Sequence, residues 1–270
     1  KALTAEEGDE VYVILPKTPF YAESGGQVGD SGRIRGAQGE IEVTKTVKLP
    51  DGKFVHEGIA HGTIDVGETV EAIVDEALRQ ATARNHTATH LLHKVLRETL
   101  GDHVNQAGSS VDANRLRFDF SHFAAVTPEE MAHIERRVNE EILKAYNVTV
   151  FEAGLEEAKK MGFTALFGEK YGDVVRCVQA GDFSMELCGG THLSNVAQIG
   201  SFRLISESAV AAGIRRIEAV TGLKAYEVGV NQQKLLNDAA KLLKSTTKDV
   251  LGRIEQLYVQ LKEQDKEIGR

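Results

Sequence analysis

Two short stretches of this sequence carry residues that bind metals. His86-Thr87-Ala88-Thr89-His90 places two imidazoles four residues apart, in a run without glycine or proline. On a helix both would leave the same face, one turn apart. Some hundred residues later, Cys188-Gly189-Gly190-Thr191-His192 offers a thiol and a third imidazole around two glycines. His86, His90, Cys188 and His192 make the inventory of one tetrahedral zinc site. Thiolate and imidazole are donors that zinc selects, and the glycines let a backbone wrap closely around an ion. An H-x-x-x-H pair alone says little, because histidines one turn apart occur on ordinary helices. The second pair turns the reading towards a metal. The competing reading is an inert buried cysteine beside unrelated histidines. H-E-x-x-H protease chemistry is disfavoured, because Thr87 stands where the glutamate base would be.

Other residues carry weaker signals. His93 shares the face of His86 and His90, and reads as a polar neighbour of the ligands or a surface residue rather than a spare ligand. His103, His122 and His133 have no spacing to a partner and read as structural or exposed. Gln106, in a polar stretch, is by default a loop residue; its neutral amide is suited to orienting water or a carbonyl. The glycine run from Ser24 to Gly32, with Gly25, Gly26 and Gln27 at its start, matches neither nucleotide phosphate-loop pattern. It is a strand connection that permits close backbone approach. Arg215-Arg216 either points into solvent or clamps phosphates.

These residues must be held by elements that the patterning predicts. Residues 1–75 read as short strands (11–15, 41–44, 70–74) between glycine turns, which suggests a small β-barrel. Residues 75–100 read as one helix carrying the histidine pair, with Asp75 as N-cap and Gly101 as its stop. Residues 115–120 alternate as a strand. Thr127-Pro128-Glu129-Glu130 is a helix start with a capping box, and Met131, Ile134, Val138, Ile142 and Ala145 form its core stripe. Strands follow at 148–151, 174–178 and 202–206, with a short helix at 155–161. The mixture is α+β rather than a βαβ series. From Leu223 the composition turns to Lys, Glu, Gln and Leu. Val250, Ile254, Leu257, Leu261 and Ile268 fall at coiled-coil steps, and Ser245-Thr246-Thr247 reads as a turn between two helices.

Composition bounds the function classes. The chain has 270 residues, of which 41% are apolar, and a net charge of −8. The acidic balance argues mildly against a nucleic-acid partner, although local charge decides that question. Two cysteines, Cys177 and Cys188, make no disulfide framework, so a reducing, cytoplasmic setting is expected. Nothing reads as a signal peptide or a transmembrane helix. The first residue is Lys, which suggests a fragment of something longer.

Taken together, these stretches resemble alanyl-tRNA synthetase of bacterial type. The matching segments are TPFYAESGGQVGDSG (18–32), HTATHLLH (86–93), RLRFDFSH (115–122), ALFGEKY (165–171), ELCGGTH (186–192) and GIRRIEAVTG (213–222). The likeness covers residues 10–222 and continues more loosely into the tail. It implies the editing portion of that synthetase, which hydrolyses tRNA(Ala) mischarged with serine or glycine. The ATP-dependent aminoacylation domain would precede residue 1. The resemblance implies a β-barrel domain over 1–75, then an α+β editing core over 76–222 shared with threonyl-tRNA synthetase and free-standing editing proteins. A C-terminal helical coiled-coil region, truncated here to 223–270, serves dimerisation or tRNA binding in the family. The family places one zinc on the positions of His86, His90, Cys188 and His192.

A synthetic site built for alanine cannot strongly exclude glycine, nor reject a serine that only adds a hydroxyl, so a second site must remove them. Zinc there would activate water or polarise the ester carbonyl. Four protein ligands nevertheless fill a tetrahedron, the pattern of a structural site. The expected role is therefore positioning with a loosely held ligand, and the candidate catalytic residues are Cys188, Gln106 and Thr89. Gly25, Gly26, Gln27, Arg215 and Arg216 are expected to hold the tRNA acceptor end. The alternatives are a free-standing trans-editing deacylase, a non-catalytic tRNA-binding zinc module and a general zinc hydrolase.

Overall fold

The N-terminal segment folds as strands separated by glycine turns. A computed structural model describes residues 3–165 and 171–269. In it β1 (Thr4–Ala5), β2 (Glu10–Val13), β3 (Gly32–Arg35), β4 (Gln38–Lys48), β5 (Phe54–Asp65) and β6 (Glu71–Val74) form one antiparallel sheet. Its order is β1-β5-β4-β3-β6, with β2 also pairing with β5. Among the described residues no ladder joins β6 back to β1 or β2, so this is an open sheet and the expected barrel is not seen. Closure depends on which end strands pair, and residue alternation within a strand does not encode that. Phe20, Ile34, Ile41, Val43 and Ala60 pack as the core of this sheet.

Helix α1 (Glu76–Leu100) follows. Asp75 caps it through a bond from the Leu78 N–H at 3.0 Å, and Gly101 ends it in a left-handed φ of 117°. Every residue from Asn85 to His93 is buried, so the histidines lie inside the protein. The helix packs against α2 (Pro128–Leu143) and the antiparallel sheet β12-β13-β8-β7, made of β7 (Gln106–Val111), β8 (Leu116–Ser121), β12 (Phe202–Ala211) and β13 (Ile214–Thr221). Leu91, Leu92, Leu96, Phe118, Phe120, Ile134 and Val138 meet in the main core. Each such side chain contributes roughly 1.5–3 kcal/mol by leaving water.

The start of α2 is the capping box expected: Thr127 and Glu130 bond reciprocally. Its stripe ends at Ile142, because Ala145 lies beyond the helix at φ 54° and is exposed. A third sheet, β11-β10-β9, combines β9 (Val148–Gly154), β10 (Val174–Ala180) and β11 (Ser184–Leu187), with α3 (Leu155–Lys160) beside it. Cys177 is buried there among Ala158, Phe163, Val175 and Leu187.

The chain divides into two compact units, Lys1–Gly222 and Leu223–Arg270. The second contains nearly all of α4 (Gly222–Leu242) and the whole of α5 (Val250–Ile268), with the predicted turn between them. Along the α5 seam Val250 is buried, while Ile254, Leu261 and Ile268 are exposed, so the seam is not covered by the described residues of this chain. Among the described residues no helix is long and apolar enough to cross a membrane.

Candidate metal centre

The centre is assembled from α1 and the loop that leaves β11. On α1, the rings of His86 and His90 lie 5.3 Å apart between centroids. The loop brings the His192 ring to 4.4 Å from His86 and 4.6 Å from His90. Cys188 Sγ sits 3.3 Å from His86 Nε2 and 3.4 Å from His192 Nε2. One donor atom from each of the four residues lies within 4.8 Å of the others. Bonds of about 2.0 Å to nitrogen and 2.3 Å to sulfur give a tetrahedron with N···S edges of roughly 3.5 Å. The four side chains therefore suit zinc in donor type, number and spacing.

The loop is held by contacts that pattern reading does not reveal. Arg176, on β10, donates through Nη1 to the carbonyls of Cys188 (2.9 Å) and Gly190 (2.7 Å). The Cys188 N–H donates to the Arg176 carbonyl at 3.0 Å. Gly190 is required by space: a Cβ there would stand 2.0 Å from His86 Cε1. A Cβ at Gly189 would meet nothing within 4 Å.

Burial alone would push the Cys188 thiol up, but the His86 and His90 rings outweigh it and hold the group well below its ordinary range, as thiolate. Burial and the neighbouring His86 and His90 lower His192 to about 3. Burial would also lower His90, but the charges of Glu186 and Cys188 raise it to about 9. Glu186, despite its burial, is kept below the usual carboxylate range by His90 and His93. His93 is buried, and its Nδ1 lies 2.9 Å from Glu186 Oε1.

Beside the cluster is a cavity of about 320 Å³. Thr89, Gln106, Gly25, Cys188 and Gly189 line it, together with Tyr21, Ser24, Ser109 and Glu186. Thr89 donates its hydroxyl hydrogen to the Asn85 carbonyl at 2.8 Å. Tyr21 donates to the Ser24 carbonyl at 3.0 Å, and burial, with the Cys188 charge adding to it, pushes the Tyr21 phenol up to about 12. Gly26 and Gln27 are not part of the lining. Gly26 backs onto β7, where a Cβ would stand 2.3 Å from the Ser109 carbonyl oxygen. Gln27 is 1% exposed and bonds to His86 and Thr191.

Arg215 forks onto Glu207 (2.5 and 2.6 Å) and Arg216 onto Asp119 (2.7 and 2.8 Å). Arg215 pairs with Phe120 across the ladder, and Phe120 pairs with Gln106. Arg215 thus stands two strands, or roughly 10 Å, from the cavity-lining Gln106. His103 and His122 lie 2.8 Å apart near the surface, away from the cluster. Of the matched stretch 165–171, residues 166–170 lie outside the described residues.

Comparison with known proteins fits this arrangement. The chain is 54% identical to an alanine–tRNA ligase of Acetivibrio thermocellus over 98% of its own length. It is 54% identical to that of Bacillus velezensis and 52% identical to that of Bacillus subtilis, each over 97% of its length. The chain corresponds to a segment of the bacterial alanine–tRNA ligases. It spans about 30% of the length of these relatives. A family profile of the threonyl and alanyl tRNA synthetase second additional domain matches residues 175–218, which include Glu186, Cys188, His192, Arg215 and Arg216. A profile of class II (A) tRNA synthetases matches residues 2–78, including the glycine-rich loop. The α1 histidines lie between the two matched ranges, so the alanine–tRNA ligase likeness at the centre runs through the whole-chain matches.

Tyr21, Glu186, Arg176 and Ser109 are the site residues that sequence reasoning did not single out. Glu186 and Tyr21 stood inside matched motifs. For Arg176, on an apolar strand, no local signal pointed to the loop it holds.

Proposed function

We propose that this chain is the editing part of an alanine–tRNA ligase, hydrolysing the ester that links serine or glycine to the 3′ end of tRNA(Ala). The observation that carries this reading is the convergence of His86, His90, Cys188 and His192 at a cavity lined by Thr89 and Gln106. The domains follow as 1–75, 76–222 and 223–270, with the last pairing or binding tRNA through its full-length form. The whole ligase would also join alanine to tRNA(Ala) using ATP.

The four residues would hold one zinc, which when bound supplies Lewis-acid polarisation of a carbonyl or water. The chain's own groups do the rest. Thr89 has committed its hydrogen to Asn85, so it offers only lone pairs to the cavity and accepts from a water or a substrate N–H or O–H. The Gln106 amide, which lines the same cavity from β7, can donate and accept, and orients the attacking water. Thr89 and the two histidines of the cavity wall stand on the buried face of α1, which keeps these groups in place. Ser24 and Gly25 at the rim, with Arg215 and Arg216 two strands away, guide the acceptor end. The carboxylate forks use Nε and Nη2 of each arginine, leaving Nη1 as the donor for a phosphate.

Deacylation of Ser-tRNA(Ala) beside Ala-tRNA(Ala) by this chain tests the reading. Faster release of serine is expected, and equal or absent release of both rejects it. Cys188→Ala should lose zinc and deacylation together. Full activity with zinc lost would remove the ion from the reaction.

A further inference from the structure

An imidazole that binds a metal through one nitrogen carries its proton on the other, and the partner of that proton decides which nitrogen is free. In the three histidines of the cluster, Nδ1 is turned outward. His86 Nδ1 lies 2.7 Å from Gln27 Oε1, His192 Nδ1 lies 3.1 Å from Thr87 Oγ1, and His90 Nδ1 lies 3.6 Å from Glu186 Oε2. The inward Nε2 atoms of His86 and His192 meet the Cys188 sulfur.

The Gln27 contact fixes its own direction. Gln27 Oε1 also receives the Thr191 N–H at 2.9 Å, and a backbone N–H can only donate. The amide nitrogen is accounted for as well, donating to Thr191 Oγ1 at 2.8 Å. Oε1 is therefore the acceptor, and His86 Nδ1 must carry the hydrogen. Thr87 Oγ1 accepts the Leu193 N–H at 3.2 Å, and its second lone pair is free to accept a hydrogen from His192 Nδ1 at 3.1 Å. Glu186 faces Nδ1 of both His90 and His93, and a carboxylate offers only acceptors. His93 Nε2 is buried without a partner, as suits a bare lone pair rather than a stranded N–H.

Gln27 reaches this position because its loop is pinned on both sides. Asp30 receives the Tyr21 N–H at 2.6 Å and pairs with Arg79 of α1. Val28 N–H donates to the Val111 carbonyl, and Val111 N–H to the Gly26 carbonyl. The glycine at 26 is what lets the loop lie against β7 and turn Gln27 inward.

We propose that Gln27 and Thr87 are positioning residues that hold His86 and His192 as Nδ1–H tautomers, leaving Nε2 as the metal donor, that the Glu186 carboxylate facing His90 Nδ1 favours the same tautomer there by charge, and that the glycine-rich loop is thereby part of the metal centre. The inference rests on the reading of the cluster as a zinc site. The test uses the full chain, loaded with zinc, with affinity read by chelator competition. Gln27→Leu keeps the volume and removes the acceptor; zinc should bind about 10–100-fold more weakly. Gln27→Glu keeps an acceptor for both N–H groups and should bind near the wild-type level. Glu141→Gln, a change whose bonded partners Arg137, Lys144 and Tyr146 are not cluster residues, controls for lost stability and should leave the affinity unchanged. Long-range ¹H–¹⁵N spectra of the zinc-loaded wild type should show Nε2 coordination at His86, His90 and His192. Wild-type affinity in Gln27→Leu, or Nδ1 coordination at His86, overturns the proposal while the zinc site stands. A wild-type chain that takes up no zinc overturns both.

Discussion

Gly189 and Gly190 are neighbours with the same side chain and opposite constraints. A methyl at 190 would run into His86 Cε1 and approach Gln27 Oε1 to 2.7 Å, and both side chains are buried and held by hydrogen bonds. A methyl at 189 would face the cavity. Gly190→Ala should therefore displace His86 and weaken zinc binding at least tenfold, by the same loss of ligand orientation that outer residues otherwise prevent. Gly189→Ala should leave zinc content at the wild-type level. Metal analysis of the two purified variants checks this, and equal zinc loss in both would contradict the spatial argument. At this scale the cluster of His86, His90, Cys188 and His192 was legible because its chemistry is rare: thiol and imidazole at four-residue spacing have few other uses. Gln27 and Glu186 were not legible as neighbours of the histidine rings, because an amide or a carboxylate has many uses and only the fold brings them to a ring nitrogen.

At the scale of elements, α1 was readable end to end, since a capping aspartate, a run without breakers and a terminal glycine are all local signals. Strand β5 was not, although it is the longest in the first sheet. Gly58 and Gly62 interrupt its pattern, and Gly58 is there because β4 approaches so closely that a Cβ would stand 2.2 Å from the Glu42 carbonyl oxygen. Strands β11 and β13 escaped for a related reason: one is four residues long, and the other reads as a basic loop until its partners on both sides are known. The end of α2 shows how an element is stabilised by charge. The Glu141 side chain is buried, accepts from Arg137 and Lys144 at 2.7 Å each, and accepts from Tyr146. Burial would raise its carboxyl, but these donors outweigh it and hold it below the usual range. The folded state thus favours the charged form, and the stabilisation is present above the unfolded carboxylate range near pH 4.5. It is lost as pH falls through the lower folded value. Glu141→Gln should reduce stability at pH 7 by about 1–3 kcal/mol. The difference from wild type should shrink below about pH 4. Denaturant unfolding at the two pH values measures it, and a constant difference would mean that charge plays no part.

For the whole molecule, the proposed function requires a chain of net charge −8 to take up an anionic tRNA end. Net charge opposes the encounter, so attraction must come from local cations whose own partners do not fully satisfy them. Arg215 and Arg216 stand two strands from the cavity-lining β7 by register, and each is half neutralised by a carboxylate fork. The forks hold the guanidinium planes still while the outer nitrogens remain for phosphates, and a rigid donor loses less entropy on binding than a solvated one. If both contact the single-stranded acceptor end, replacing both with Ala should make the slope of log affinity against log salt shallower by about 1.4. Affinity at low salt should fall accordingly, while zinc content stays at the wild-type level because neither residue touches the cluster. Binding of uncharged tRNA(Ala) across a salt series measures the slope. A slope unchanged by the double substitution would show that the two arginines serve only the β12–β13–β8 sheet through Glu207 and Asp119 and do not contact the acceptor end.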